Sequence, residues 1–160
     1  MIDSPVDVVI HTADDMHDFG VRLGRDLTAG DLLVLTGPLG AGKTTLTRGI
    51  GEGLGVRGPV TSPTFVLART HPSLVGGPPL VHVDAYRLSE PIELDDLDID
   101  FAGSVVIVEW GRSLIDAVAS AWLDVEIERP TGASESAGTD AADSDVTDEP
   151  RRVRIFRHGS

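Results

Sequence analysis

Short unbroken apolar runs alternate along the chain with stretches in which apolar residues recur every three or four positions. Val6 to Ile10 reads as a first short strand. Thr12-Ala-Asp-Asp15 follows with the pattern of a capping box, in which the Thr hydroxyl and the Asp carboxylate satisfy the first free N–H groups of a helix. Met16, Phe19, Leu23 and Leu27 then repeat at spacings of three and four and make one apolar helix face. Gly30 ends that unit. Leu32-Leu-Val-Leu35 is a continuous apolar run with polar flanks, the pattern of a strand buried on both faces. A second helix begins at about Lys43 and carries Leu46, Ile50 and Leu54 on one face, with Gly55 as its expected terminator.

Two later apolar runs each end in a carboxylate. Leu80-Val-His-Val83 leads into Asp84, and Val105-Val-Ile-Val108 leads into Glu109. A short acidic helix is expected between them, over Pro91 to Leu97. Ser113 to Ala119 reads as helix and Leu123 to Ile127 as strand. Buried strands alternating with helices predict an α/β fold with a mainly parallel central sheet flanked by helices. Thr131 to Pro150 breaks the pattern: it holds Ser, Thr, Gly, Ala and six acids, no base and almost no large apolar residue. Such a segment cannot bury enough surface to offset its ordering entropy, so it is expected to be disordered. Arg151 to Arg157 alternates basic and apolar residues, which predicts a final edge strand. Attraction between this basic strand and the acidic loop is expected to be weak, as exposed pairs are. The expected organisation is one domain: an ATPase body over 1–130, an acidic insert over 131–150, and a returning strand over 151–160. There is no internal repeat.

Composition narrows the function. The 160 residues suit a single domain, and 41% of them are apolar, as in ordinary globular chains. There is no cysteine, so thiolate metal sites and thiol chemistry are excluded. No apolar stretch reaches membrane-spanning length, and the N-terminus lacks the pattern of a signal peptide, so a cytoplasmic location with no membrane partner is expected. The formal charge of −13 argues against a broad grip on nucleic acid. Twelve of the thirteen basic residues are arginine, and the sole lysine is Lys43.

That lysine lies in Gly37-Pro-Leu39-Gly40-Ala41-Gly42-Lys43-Thr44, a phosphate-binding loop with a buried strand before it and a helix after it. The glycines let backbone N–H groups of Leu39, Gly40, Ala41 and Gly42 turn inward around phosphates, and the helix through Thr44 and Thr45 adds the positive end of its dipole. Lys43 can reach the β- and γ-phosphates, and the Thr44 hydroxyl can ligate Mg²⁺. A single P-loop NTPase domain with ATP and Mg²⁺ as cofactors is the reading. Such enzymes need a strand-end carboxylate for the metal. Glu109, after the more apolar strand, is favoured for it; Asp84 would lie nearby, as a partner of the metal's water or as a base. The plainer alternative for each is a helix or turn cap. Thr61-Ser62-Pro-Thr64-Phe65 follows the loop helix, where many P-loop proteins sense the γ-phosphate; an ordinary Ser-Pro turn competes with that reading. His82 reads as a packed, hydrogen-bonded histidine rather than a metal ligand. With no second lysine available for Asn/Thr-Lys-x-Asp, a Ras-like GTPase is excluded, and Asp100-Phe-Ala-Gly103 is too short a match to restore it.

Gly37 to Thr45, Thr61-Ser-Pro-Thr-Phe65, His82-Val-Asp-Ala-Tyr-Arg87 and Val108-Glu-Trp110, in this order and spacing, closely resemble the TsaE family over about residues 6 to 129. The resemblance implies an ATPase required for threonylcarbamoyladenosine synthesis on tRNA. It further implies that ATP hydrolysis drives or resets a TsaD–TsaB transfer complex supplied by TsaC, with tRNA met only through that complex. By position it implies phosphate and Mg²⁺ held by Lys43 and Thr44, Glu109 as second magnesium ligand, Asp84 assisting hydrolysis, and Thr61 to Thr64 as a switch. Thr12 gains a second reading beside its cap, near the adenine, and Trp110 becomes a nucleotide-site or partner-contact residue. The acidic stretch before the last strand is longer than the family pattern. Two other function classes stay open: a small-molecule kinase, hinted at by Glu109-Trp-x-Arg112-Ser113, and a nucleotide-gated binding module without turnover.

Overall fold

The apolar run at Leu32–Thr36 becomes the centre of the sheet. The computed structural model describes residues 5–37, 42–58, 68–84, 99–109, 115, 119, 121–128 and 150–159. Among these the strands are β1 (Val6–Ile10), β2 (Leu32–Thr36), β3 (Ala68–His71), β4 (Leu80–Asp84), β5 (Val105–Glu109), β6 (Ala121–Glu128) and β7 (Arg151–Gly159), with helices α1 (Ala13–Asp26) and α2 (Lys43–Leu54). They form one sheet of seven strands in the order β1-β7-β6-β2-β5-β4-β3. The middle four, β6-β2-β5-β4, run parallel. β7, β1 and β3 add antiparallel ladders at the flanks. In the parallel centre both faces are covered, so β2 and β5 are apolar without alternation.

One face carries Leu33, Leu35, Ile107, Val125 and Ile155 against Leu46 and Ile50 of α2 and Met16 and Leu23 of α1. The other carries Val34, Val83, Val106 and Val108 with Trp122 and Ile115. The two helices meet closely because each presents glycine where they cross. A Cβ on Gly20 would stand 2.5 Å from the Leu46 carbonyl oxygen, and one on Gly49 2.2 Å from that of His17. Gly24 and Gly53 are equally tight, at 2.3 Å from Ile50 O and 2.2 Å from Val21 O. The same crossing is tied at its rim by His17 Nε2 and Glu52 Oε2, 2.7 Å apart.

Element boundaries follow the sequence pattern where local chemistry sets them. The Thr12 hydroxyl accepts from the Asp15 N–H at 3.0 Å and caps α1. Gly55, at φ +79°, closes α2. The expected edge position of the last strand is corrected: β7 lies between β1 and β6, and β1 is the edge on that side. Alternation records that one face of β7 is buried; it does not record how many hydrogen-bonded neighbours the strand has. The charges of β7 do reflect two neighbours. Arg152 meets Asp7 of β1 through two hydrogen bonds of 2.9 and 2.6 Å, and Arg154 meets Glu126 and Glu128 of β6. β3, four residues long and polar at its middle, had no apolar pattern to announce it. The expected helix over Pro91 to Leu97 and the acidic segment up to Glu149 lie outside the described residues. Of the helix expected over Ser113 to Ala119, only Ile115 and Ala119 are described, joined by an N–H to carbonyl bond of 2.9 Å.

Candidate functional site

β2, β4 and β5 run parallel, so their C-terminal ends share one rim of the sheet, and each delivers one part of the site there. β2 runs out into Gly37, the first glycine of the loop. β4 ends in Asp84 and β5 in Glu109, which are register partners across the β4–β5 ladder. α2 begins at Lys43, directly after Gly42, which sits at φ +109°, a conformation that favours glycine. A Cβ at Gly42 would also stand 3.1 Å from Met16 Cε, so the first turn of α1 leans on the end of the loop.

Lys43 is 7% exposed, and its Nζ donates to the Gly37 carbonyl oxygen at 2.6 Å, which ties the start of α2 to the end of β2. Burial pushes its pKa below the ordinary lysine value, while the charges of Glu109 and then Asp84 oppose that shift. A cation and two carboxylates therefore share one poorly solvated rim beside a helix N-terminus, which is chemistry suited to an anion carrying a hard cation. Thr44 and Thr45 open α2, half-buried, next to Lys43. Thr47 Oγ1 donates to the Lys43 carbonyl oxygen at 2.7 Å and belongs to the helix, not to the site.

The structure thus brings together Gly42, Lys43, Thr44, Thr45, Asp84 and Glu109. Thr12 acts as the α1 cap, as its local pattern predicted. Leu39, Gly40, Ala41, Thr61, Ser62, Thr64 and Trp110 lie outside the described residues. What sequence reading missed is the partner of His82. This residue is fully buried, and its Nε2 lies 2.5 Å from Glu109 Oε2. The strand pattern held the signal: His82 and Asp84 are two apart on one strand face, so whatever sits opposite Asp84 also stands beside His82.

The family model for threonylcarbamoyl adenosine biosynthesis protein TsaE matches residues 10–137. A tRNA threonylcarbamoyladenosine biosynthesis protein TsaE from Streptomyces coelicolor is 53% identical over 143 residues, covering 88% of each chain. A Mycobacterium leprae protein of the same name is 47% identical over 131 residues, covering 76% of this chain and 81% of that one. The crystal structure of Bacillus subtilis YdiB superposes with a TM-score of 0.69 at 26% identity, covering all of this chain and 89% of the other. With the family model spanning most of its length and relatives near half identity, this chain belongs to the TsaE family.

Proposed function

We propose that the chain is the ATP-binding and ATP-hydrolysing component of the tRNA threonylcarbamoyladenosine modification machinery, and that its nucleotide state is coupled to a TsaD–TsaB transfer complex. The observation that supports this reading best is the convergence of buried Lys43, buried Glu109 and half-buried Asp84 on the rim where α2 begins, in a chain of the TsaE family. The loop N–H groups and the α2 N-terminus receive the phosphates, and Lys43 offsets charge on the β- and γ-oxygens.

The donor set fits Mg²⁺. The Thr44 hydroxyl and the Glu109 carboxylate are hard oxygen ligands, and among the described residues no three His, Asp or Glu side chains form a metal group of their own. A cation that keeps its waters and shares substrate phosphates needs no more than that. When bound, it neutralises charge on the transferring phosphoryl group. Asp84 orients the attacking water and accepts its proton.

Hydrolysis by the chain alone is slow in this reading. No arginine is placed by its sequence on an obvious lid, and P-loop turnover without one is commonly slower by roughly 10³–10⁵-fold. With a net charge of −13, the chain meets tRNA through its partners. The test measures affinity for the TsaD–TsaB complex with an ATP analogue, with ADP and with no nucleotide, and turnover with and without the complex. The expected result is state-dependent affinity and partner-dependent turnover, since coupling between two ligands is reciprocal. Equal affinities together with fast turnover by the isolated chain overturn the reading and favour a stand-alone hydrolase or kinase.

A further inference from the structure

An imidazole in the middle of an apolar strand is expensive unless it serves something. His82 is 0% exposed, flanked along β4 by buried Val81 and Val83 and paired across the ladder with Ile107. For packing alone an aliphatic side chain costs less, because each buried polar atom needs a partner. His82 has one such partner. Its Nε2 lies 2.5 Å from Glu109 Oε2, while Nδ1 is buried with no hydrogen bond among the described residues. The tautomer that satisfies this arrangement carries its hydrogen on Nε2 and leaves Nδ1 a bare acceptor, which costs less than an unmet donor.

The pairing matters at the other end. Glu109 is 7% exposed, and because the last torsion of a glutamate is broad, the hydrogen bonds its carboxylate makes set the plane it adopts. A charge-assisted bond at this distance in a dry site fixes the plane of the carboxylate. The bond occupies Oε2, so Oε1 is the oxygen left to face a cation or its water. We propose that His82 is a positioning residue for Glu109: through Oε2 it sets the orientation in which Glu109 serves the nucleotide-bound divalent cation. This rests on the reading that Glu109 serves such a cation. Groups that orient a ligating side chain typically change metal affinity by roughly 10- to 100-fold when removed.

The experiment measures nucleotide affinity by calorimetry across a series of Mg²⁺ concentrations, and also without Mg²⁺, with melting temperature recorded for each variant. His82→Phe keeps a ring and loses the donor. It is expected to raise the Mg²⁺ concentration for half-maximal tightening by about 10-fold or more, with Mg²⁺-free affinity within about twofold of wild type. His82→Gln, whose amide reaches the position of Nε2, is expected to recover most of that loss; His82→Asn, too short to reach Oε2, is not. In a Glu109→Gln background, His82→Phe should add nothing. Should His82→Phe fold poorly, the Gln and Asn variants decide, because both are neutral amides and only one reaches. Wild-type Mg²⁺ dependence in folded His82→Phe, or equal behaviour of the Gln and Asn variants, overturns the proposal while leaving the ATPase reading intact. A wild-type chain whose nucleotide affinity ignores Mg²⁺ overturns both.

Discussion

Lys43 is costly to bury, and the proposed grip on nucleotide phosphates is what would offset that cost. Its ammonium is buried, and burial outweighs the two nearby carboxylates in setting its pKa below the ordinary lysine value. Lys43→Ala is therefore expected to leave the melting temperature of the nucleotide-free chain unchanged or slightly higher, while ATP affinity falls by roughly 10- to 100-fold or more, because hydrogen bonds to charged groups are the strong ones. Calorimetry and thermal melts on the same preparation check both halves, and unchanged ATP affinity would refute the phosphate-loop assignment. His71 carries a pH dependence of stability. Desolvation lowers its pKa below the ordinary value of 6.5, with a backbone hydrogen bond at Arg57 opposing. The folded state then resists a proton that the unfolded state accepts. Its contribution is intact above about pH 6.5 and is lost as the pH falls below that value toward the lower folded pKa. Melts between pH 7.5 and 5 should show a shallower acid loss in His71→Gln than in the parent chain.

At the scale of elements, the α1–α2 crossing depends on glycines set against backbone oxygens. Alanine normally favours a helix over glycine by about 1 kcal/mol. At Gly49 the added methyl would stand 2.2 Å from a backbone oxygen that cannot rotate away. Gly49→Ala is expected to destabilise by about 1–3 kcal/mol, against its helix propensity. A denaturant midpoint equal to or above wild type would show that the helices can separate freely. Met16, on the helix that crosses α2, also lies against Gly42 at the start of α2.

At the scale of the molecule, the acidic segment joins two strands that are already neighbours. β6 and β7 are antiparallel partners, with Glu128 opposite Arg152 where the segment leaves and returns. Deleting Gly132 to Glu149 leaves Arg129, Pro130, Thr131 and Pro150 between those strands, a workable hairpin connection. Melting temperature and nucleotide affinity should stay nearly unchanged, since loop length alone contributes about 1 kcal/mol or less. A large drop in either would mean that the segment packs on the domain. The described helices include none long and apolar enough to cross a membrane, in keeping with the apolar runs being strand-sized.

The sequence by itself determined whatever depends on neighbours in the chain. Thr12 caps α1 because its hydroxyl needs only the N–H three residues on, and β2 reads as buried on both faces because its run is apolar without interruption. The exit of β2 toward Gly37 and the start of α2 at Lys43 were legible because strand, glycines and lysine are consecutive. The tertiary structure alone decided what depends on which strands lie side by side. His82 and Glu109 are 27 residues apart, and only parallel pairing of β4 with β5 puts imidazole against carboxylate. The interior place of β7 has the same origin, because one-dimensional alternation records the faces of a strand and is silent about its edges.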